Sequence, residues 1–262
     1  QGGVETHCQE LYPLIADEQH EIIVIRRPNY AVERSVQIYK QVAIKDISAP
    51  RSKHLEAFVH TFKAVIYARK VKADIVHIHA VGPALMTPVA RLLGMKVVIT
   101  HHGPDYDRDK WGRFAKWILC MGERAGVYYA NHIIVISEHI RQIIYHQYSA
   151  KRNVTLIHNG VNVPTRVIGT EYLESLDLTE YGYVLAVGRF VKEKNLDQLV
   201  EAFTQLSSPS MKLVIAGDAD FQDEYAQKLK EVCWKQKNIC LTGFIKGDKL
   251  AQLYTYAKVF VL

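Results

Sequence analysis

The segment with the clearest potential for chemistry is basic and lies between a predicted strand and a predicted helix. It follows Gly188, ends at Asn195, and places Arg189 five residues before Lys194. An arginine binds phosphate through two parallel hydrogen bonds, and a lysine contributes a mobile point charge. Both side chains are therefore predicted to stabilise a diphosphate group that gathers charge as its bond to a substrate breaks. The alternative interpretation is a basic turn on the surface.

Histidines follow two other predicted strands. Alternation places His77 and His79 on the same face of the strand at 74–79, with His79 at its carboxyl end. An imidazole at that position can donate a hydrogen bond to a substrate hydroxyl or phosphate, and a buried structural role is the alternative, chiefly for His77. A metal held by this pair needs a third ligand, and none is evident in the sequence.

The loop after the next strand carries His101, His102 and Gly103. Parallel strands bring such loops to one edge of a sheet, so we expect this loop beside His79 and suited to a hydroxylated acceptor. A metal site formed by His101, His102 and Asp105 is a weaker alternative. We predict no bound metal and no cofactor.

Two glycines precede the first helix. Gly2 and Gly3 allow backbone N–H groups to approach an anion, and the helix N-terminus adds partial positive charge. The segment lacks the GxGxxG pattern of dinucleotide-binding sheets, which disfavours a nicotinamide-dependent dehydrogenase.

Glycines also close two predicted strands of the second half of the chain, at an edge where a nucleoside is expected to lie. The residues expected to contact it are Gly217, Gly243, Phe244 and Ile245. Asp218 and Asp220 fit the DxD pattern by which one class of sugar transferases holds a divalent metal. Such triplets arise often by chance, so we favour loop aspartates.

Short β-branched runs alternate with longer amphipathic segments, which is typical of βαβ units around a parallel sheet. The predicted strands lie at 21–26, 41–46, 74–79, 96–101, 132–136, 153–157, 183–188, 211–217, 239–242 and 259–262. Ser137, Asn195 and Asp248 are predicted to cap helices at 138–148, 196–206 and 249–257. A polar linker at 163–180 separates a domain at 1–162 from one at 181–262. We therefore expect an α/β protein of two doubly wound domains that face each other across a cleft.

The composition and charge narrow the range of partners. Of the 262 residues, 48% are hydrophobic, which is typical of a globular protein. The four cysteines are widely spaced and form no CxxC pair, which indicates free thiols in a reducing cytoplasm. The net charge of +6 suits nucleic acid, an anionic membrane face or an anionic substrate, and a solvated surface without a partner is the alternative. No nucleic-acid motif is present. Between Asp109 and Ala125 an amphipathic helix carries Trp117, for which core packing and peripheral contact with the inner face of the plasma membrane are the two interpretations.

Together these segments resemble the GT4 family of retaining glycosyltransferases, which have the GT-B fold of two Rossmann-like domains. The resemblance rests on the order and spacing of Gly2-Gly3-Val4-Glu5, His77-Ile78-His79-Ala80, Thr100-His101-His102-Gly103, Ile157-His158-Asn159-Gly160-Val161 and Gly188-Arg189 through Lys194. The loop at 106–111 is similar to that of bacterial members that build surface polysaccharides. His158 and Asn195 replace the family's usual proline and glycine. The family's first strand falls outside the sequence, and so does the pair of glutamates, spaced by seven residues, with which the family binds the donor sugar. We therefore expect a fragment that is incomplete in both domains and inactive alone.

The resemblance implies metal-independent, retaining transfer of a hexose-type sugar from a UDP- or GDP-sugar to a glycan or lipid-linked glycan, in polysaccharide biosynthesis. It implies catalytic roles for His79, Arg189 and Lys194. Donor binding is implied for Gly3, Arg189, Lys194, Gly217, Gly243, Phe244 and Ile245, and acceptor binding for Gly2, His101, His102 and Gly103. The alternatives are a nucleotide-sugar 2-epimerase of the same fold, a non-catalytic nucleotide-sugar binding module and a metal-dependent transferase of another fold.

Overall fold

The structure is a computed structural model that describes residues 3–28, 37–50, 56–107, 111–148, 153–160, 166–206, 210–219 and 223–261. The chain divides into two compact units, Gln1–Asn162 and Val163–Leu262. Helices alternate with mostly parallel strands in both units, which confirms the α/β architecture.

Unit 1 contains two sheets with helices between their strands. Its strands are β1 Ile23–Arg26, β2 Ile38–Tyr39, β3 Val42–Asp46, β4 Ile75–His79, β5 Lys96–His101, β6 His132–Val135 and β7 Val154–Leu156. Its α-helices are α1 Gly3–Ile15, α2 Glu56–Lys70, α3 Thr87–Leu92, α4 Arg113–Tyr129 and α5 Glu138–Tyr148. One sheet has the order β1-β3-β2 and the other the parallel order β4-β5-β6-β7.

Unit 2 has a single described sheet of parallel strands in the order β10-β9-β8-β11. The strands are β8 Tyr183–Val187, β9 Lys212–Ala216, β10 Ile239–Gly243 and β11 Val259–Val261. The helices are α6 Glu171–Ser175, α7 Leu196–Gln205, α8 Glu224–Trp234 and α9 Asp248–Tyr256. The short helix α6 lies inside the segment interpreted as a linker, and Leu173 in it is buried against Leu253 of α9.

The core of unit 2 shows why its strands are continuous apolar runs. Leu213 and Ile215 face α7 and α8, while Val214 and Ala216, which alternate with them, face α6 and α9. Alternate residues of one strand are thus buried on opposite faces, as a doubly wound sheet requires.

Local departures from the predictions have simple causes. Lys40 and Gln41 have φ of 45° and 70° and turn the chain between antiparallel β2 and β3, so Gln41 lies in a hairpin turn and not in a strand. Ser137 caps α5 as expected, accepting a hydrogen bond from the Ile140 amide at 3.3 Å. Asn195 precedes α7 with a left-handed φ of 48°, and its side chain makes no capping hydrogen bond.

The structure also corrects the predicted N-cap of α9. Asp248 is the first residue of this helix, and the N-cap position belongs to Gly247, whose φ is 58°. A glycine tolerates this backbone conformation, whereas an aspartate there would be strained. All four cysteines are free thiols. Among the described residues, no helix is both long and apolar enough to cross a membrane.

Candidate functional site

The carboxyl edge of the β4-β5 sheet in unit 1 holds a chain of hydrogen-bonded rings. The Tyr12 hydroxyl, from α1, lies 3.0 Å from Nδ1 of His77 and 2.6 Å from Nε2 of His79. Nε2 of His77 lies 2.7 Å from Oγ1 of Thr100 on β5. His77 and His79 thus share one face of their strand, as alternation predicted. His77 has partners on both ring nitrogens, which supports its structural interpretation.

Two further histidines meet His79 at this edge. Nδ1 of His79 lies 3.0 Å from Nε2 of His102, which follows β5. The ring of His7, one turn into α1, lies 5.6 Å from that of His79 and 5.3 Å from that of His102, centroid to centroid. One ligating atom from each of these three histidines lies within 4.8 Å of the other two. His79 therefore meets two potential ligands that the sequence did not pair with it as ligands, His7 and His102, and His77 is not part of this group.

Burial keeps these imidazoles neutral near pH 7. It lowers the pKa of His77 to about 4, with smaller contributions from His7 and His102. It lowers the pKa of His79 to about 2, with smaller contributions from the neighbouring histidines. The pKa of His102 falls to about 4 through burial and then through His7 and His101. Burial also lowers the pKa of His7. A neutral imidazole has one donor and one acceptor nitrogen, so each ring can relay a hydrogen bond.

A second network lies beneath the loop predicted to bind an acceptor. His101 is 2% exposed, and its Nε2 lies 2.7 Å from Oε1 of Glu123, a 2% exposed residue of α4. The amide of Gly103 donates to Nδ1 of His101 at 3.2 Å. Since Nδ1 accepts, Nε2 carries the proton and donates it to Glu123. His101 therefore holds the loop backbone in place, and its ring is not presented at the surface.

Two tyrosines complete the shell around Glu123. The Tyr106 hydroxyl lies 3.2 Å from each carboxylate oxygen, and the Tyr148 hydroxyl donates to Oε2. Burial would raise the pKa of Glu123, but the hydrogen bonds from His101, Tyr148 and Tyr106 outweigh burial and lower it. Burial and the Glu123 charge raise the pKa of both tyrosines, so both hydroxyls remain donors.

Helix α4 reaches this network by close backbone packing. A Cβ on Gly122 would lie 2.2 Å from the Val81 carbonyl oxygen, and one on Gly126 would lie 2.8 Å from Cδ1 of Ile99. These glycines and Glu123 form the buried face of α4. Sequence reasoning missed Glu123, although an acidic residue flanked by glycines on a helix face is the signal that could have revealed it.

The carboxyl edge of the sheet in unit 2 is built from glycine backbone. The Gly188 amide donates to the Ala216 carbonyl at 3.0 Å, and the Gly217 amide donates to the Gly243 carbonyl at 2.9 Å. Gly217 has φ of 140°, and a Cβ there would lie 1.9 Å from the Gly188 carbonyl oxygen. Only a glycine at position 217 allows its strand end to approach Gly188 so closely. The structure thus brings Gly188, Gly217 and Gly243 together.

The predicted cationic pair stands at this same edge. Arg189 and Lys194 are both exposed, and the methylenes of Lys194 lie about 3.9 Å from where a Cβ of Gly188 would be. Lys194 therefore lies over the glycine that ends β8. Phe244 is 63% exposed beside Gly243, whereas Ile245 is packed against the core.

The remaining candidates fall in other surroundings. Asp218 pairs with Lys230 at 2.6 Å and accepts from the Ala219 amide at 2.7 Å, which favours its interpretation as a loop aspartate. Gly3 is the first residue of α1 and has open space around it. Gly2 and Asp220 lie outside the described residues.

Comparison with known proteins identifies the family to which the chain belongs. A family profile described as Glycosyltransferase Family 4 matches residues 1–164, and one described as Glycosyl transferases group 1 matches residues 171–262. The chain therefore belongs to Glycosyltransferase Family 4, as the resemblance of its motifs predicted. It is 25% identical over 290 aligned residues to an uncharacterized glycosyltransferase of Methanocaldococcus jannaschii, an alignment that covers 100% of this chain and 70% of that protein.

Two further similarities are informative. Over 109 residues, 40% of this chain and 28% of the relative, it is 30% identical to the N-acetylgalactosamine-N,N'-diacetylbacillosaminyl-diphospho-undecaprenol 4-alpha-N-acetylgalactosaminyltransferase of Campylobacter jejuni. The crystal structure of Anabaena HepE in complex with UDP-glucose superposes with a TM-score of 0.74 at 16% identity, covering 99% of this chain and 70% of that one. The second similarity shows the shared GT-B fold.

Proposed function

We propose that the protein is a metal-independent, retaining glycosyltransferase that moves a hexose-type sugar from a UDP- or GDP-sugar to a glycan or lipid-linked glycan in polysaccharide biosynthesis. The observation that carries this proposal is the glycine-lined edge of unit 2, where Arg189 and Lys194 follow the first strand. The UDP-glucose in the HepE complex and the diphospho-undecaprenol in the name of the Campylobacter relative support the classes of donor and acceptor.

The proposed chemistry makes the diphosphate both leaving group and base. The bond between the anomeric carbon and the phosphate oxygen breaks, and the acceptor oxygen bonds to the same face of that carbon. The acceptor proton passes to the departing phosphate oxygen. Arg189 and Lys194 neutralise the charge that gathers on the diphosphate, as a divalent metal does in other transferases. Gly217, Gly243, Phe244 and Ile245 are proposed to line the nucleoside side of the donor.

In unit 1 the proposed contacts differ in kind. His79 reaches the donor sugar by exchanging its hydrogen bond with His102 for one with a sugar hydroxyl, since both its ring nitrogens have protein partners. His102, Gly103 and Gly2 are proposed to contact the acceptor, and Gly3 is proposed to contact the donor. His101 acts as a positioning residue through Glu123 and the Gly103 amide.

The test is a transfer assay of the full-length protein with a panel of UDP- and GDP-sugars in excess EDTA. We expect transfer to a glycan or polyprenyl-diphosphate glycan acceptor, with the anomeric configuration of the donor retained in the product by NMR. Activity that disappears in EDTA and returns with manganese would overturn metal independence. Nucleotide-sugar binding with neither transfer nor epimerisation would favour a binding module, and C2-epimerised donor would favour the epimerase.

One feature of α4 favours membrane contact over core packing. Phe114, Trp117 and Met121 are 73%, 57% and 41% exposed, and the first two rings are stacked. Arg113 and Arg124 are exposed on the same helix. Apolar and aromatic side chains flanked by cations suit the boundary of an anionic bilayer. We propose that this face holds the enzyme at the cytoplasmic surface of a membrane.

A vesicle-binding experiment tests this face with a matched control. Trp117→Ser is expected to weaken sedimentation with phosphatidylglycerol-containing vesicles, because its indole inserts among the headgroups. Trp234→Ser removes a tryptophan that is 73% exposed on α8 and should leave binding unchanged. Equal binding by both variants and the unaltered protein would contradict the proposal.

A further inference from the structure

His7, His79 and His102 come from three different elements and converge at the carboxyl edge of the β4-β5 sheet. Among the described residues they are the one group of three or more potential ligands whose donor atoms all lie within 4.8 Å of one another. We propose that these three imidazoles form a binding site for a borderline divalent metal ion, chiefly Zn²⁺.

Two of the three ligand atoms already lie close to the separation that the ion requires. Zn²⁺ binds imidazole nitrogens at about 2.0–2.1 Å, so two tetrahedral ligands lie roughly 3.3 Å apart. Nδ1 of His79 and Nε2 of His102 are already 3.0 Å apart, and His7 supplies the third nitrogen. A set made only of imidazoles suits zinc, nickel and copper, whereas magnesium and calcium prefer oxygen ligands.

The hydrogen bonds behind His79 form a suitable support. Protons can run along the chain His79–Tyr12–His77–Thr100 in either of two directions. In one direction Nε2–H of His79 donates to the Tyr12 oxygen, which leaves Nδ1 as a lone pair facing His102 and His7. Metal binding selects that direction. A ligating histidine usually donates its other ring N–H to such a partner, which fixes its tautomer and orientation.

Occupancy of the site has a functional consequence that rests on the proposed function. A metal bound to Nδ1 of His79 occupies the nitrogen that the donor sugar is proposed to contact. Three protein ligands leave one tetrahedral position open, as in many zinc sites that bind a further molecule. Zn²⁺ is therefore an inhibitor of transfer, while transfer itself needs no metal. This distinguishes the site from a catalytic metal centre.

Direct binding is tested by titrating Zn²⁺ into the full-length protein in competition with a chromophoric chelator. We expect one tight equivalent, with affinity at least about 100-fold weaker in His7→Ala and in His102→Ala, since each variant loses one ligand of three. Tyr12→Phe should cost about tenfold through the lost support. The matched control is His20→Ala, an exposed histidine outside the cluster, which should bind as the unaltered protein does. Equal affinity in all variants would overturn the site.

Two measurements guard against misfolded variants. No residue of helix α1 is fully buried, so His7→Ala should keep the unaltered melting temperature in EDTA. Cu²⁺ at one equivalent should show electron paramagnetic resonance couplings to three nitrogens in the unaltered protein and to two in His7→Ala. A pattern that is the same in both would contradict coordination by His7 even if zinc binds.

An assay of transfer separates this inference from the proposed function. With EDTA removed, one equivalent of Zn²⁺ should inhibit transfer at least tenfold, and His7→Ala, which keeps His79, should lose that sensitivity. Tight binding without inhibition would uphold the metal site and overturn the competition at His79. Absence of transfer under all conditions would overturn the proposed function while the chelator titration still decides the site.

Discussion

The carboxyl edges of the two sheets are built in opposite ways. In unit 1 the edge is filled by side chains, with His79 bonded to Tyr12 and His102, and His101 bonded to buried Glu123. In unit 2 the edge is backbone, where glycines end neighbouring strands and the Gly217 amide bonds directly to the Gly243 carbonyl. The first edge is a prearranged polar network, and the second is bare backbone flanked by cations.

This difference separates two ways of preparing a site. A side-chain network fixes the tautomer and direction of each group before a ligand arrives, so its weak point is the loss of a partner. A glycine edge lets the backbone approach a ligand closely, so its weak point is the addition of a single carbon. Substitutions that remove hydrogen-bond partners should therefore destabilise unit 1, and substitutions that add side-chain volume should destabilise unit 2.

The largest expected effect comes from added volume at Gly217. Gly217→Ala forces a left-handed φ of 140° on a residue with a Cβ and places that Cβ 1.9 Å from the Gly188 carbonyl oxygen. Strain and overlap with backbone together should lower the free energy of unfolding of unit 2 by about 4 kcal/mol. Urea unfolding of the variant and the unaltered protein measures this loss of free energy.

Gly103→Ala is the matched control in unit 1. Its φ of 136° is similar, but no atom lies within 4 Å of the added Cβ. The strain alone should cost about 1–2 kcal/mol. If both variants lose the same stability, the close packing of the glycine edge does not constrain unit 2, and the comparison fails.

A lost partner in unit 1 should have the next largest effect. Glu123→Ala leaves the N–H of His101 and the hydroxyls of Tyr106 and Tyr148 without their acceptor, and should lower the free energy of unfolding by about 3 kcal/mol. Asp218→Ala removes the carboxylate of a partly exposed pair in unit 2 and should cost no more than about 1 kcal/mol. Equal costs, measured by urea unfolding, would show that the buried network adds nothing.

Acid should weaken unit 1 selectively. All 12 histidines lie before residue 163, so unit 2 has none. The pKa of His77 is about 4 in the folded protein and about 6.5 when unfolded, so the unfolded state binds more protons between those values. Stability is complete above pH 6.5 and is lost as the pH falls toward 4, by at most about 1.4 kcal/mol per pH unit for each such histidine.

Hydrogen exchange followed by mass spectrometry resolves the two units in one sample. After correction for intrinsic exchange rates, protection of peptides from β4 and β5 should fall between pH 6.5 and 5. Protection of peptides from β8 and β9 should change little over that range. A parallel loss in both units would assign the acid sensitivity to something other than the histidine cluster.

Sequence reasoning located the strands well because their signal is local. Alternation placed His77 and His79 on one face, and apolar runs marked β8 and β9 within a residue or two of their observed ends. The family could also be recognised from the sequence, because its motifs occur there in the family's order and spacing. The Arg189–Lys194 segment could be placed at the edge of the sheet from the sequence, because it directly follows a predicted strand.

Residues contributed by helices were harder to find. His7, Tyr12 and Glu123 enter the edge of unit 1 from α1 and α4, and sequence periodicity does not show how a helix is rotated against a particular strand end. On α4 the apolar side chains of Phe114 and Met121 are exposed, whereas Gly122, Glu123 and Gly126 are buried. Close backbone packing decided that rotation. The pairing of Asp218 with Lys230 likewise depends on where α8 lies.

Cationic side chains at the glycine edge of unit 2 are proposed to stabilise a departing diphosphate, and a kinetic comparison of two neighbouring lysines tests this role. Lys192 and Lys194 are exposed members of the same turn, and the atoms nearest to a Cβ on Gly188 belong to Lys194. With saturating donor, Lys194→Ala should lower kcat of the full-length protein by about 10²-fold, and Arg189→Ala should act similarly, because each removes charge needed mainly in the transition state. Lys192→Ala should keep kcat near that of the unaltered enzyme. Near-unaltered kcat in both Lys194→Ala and Arg189→Ala would contradict the account.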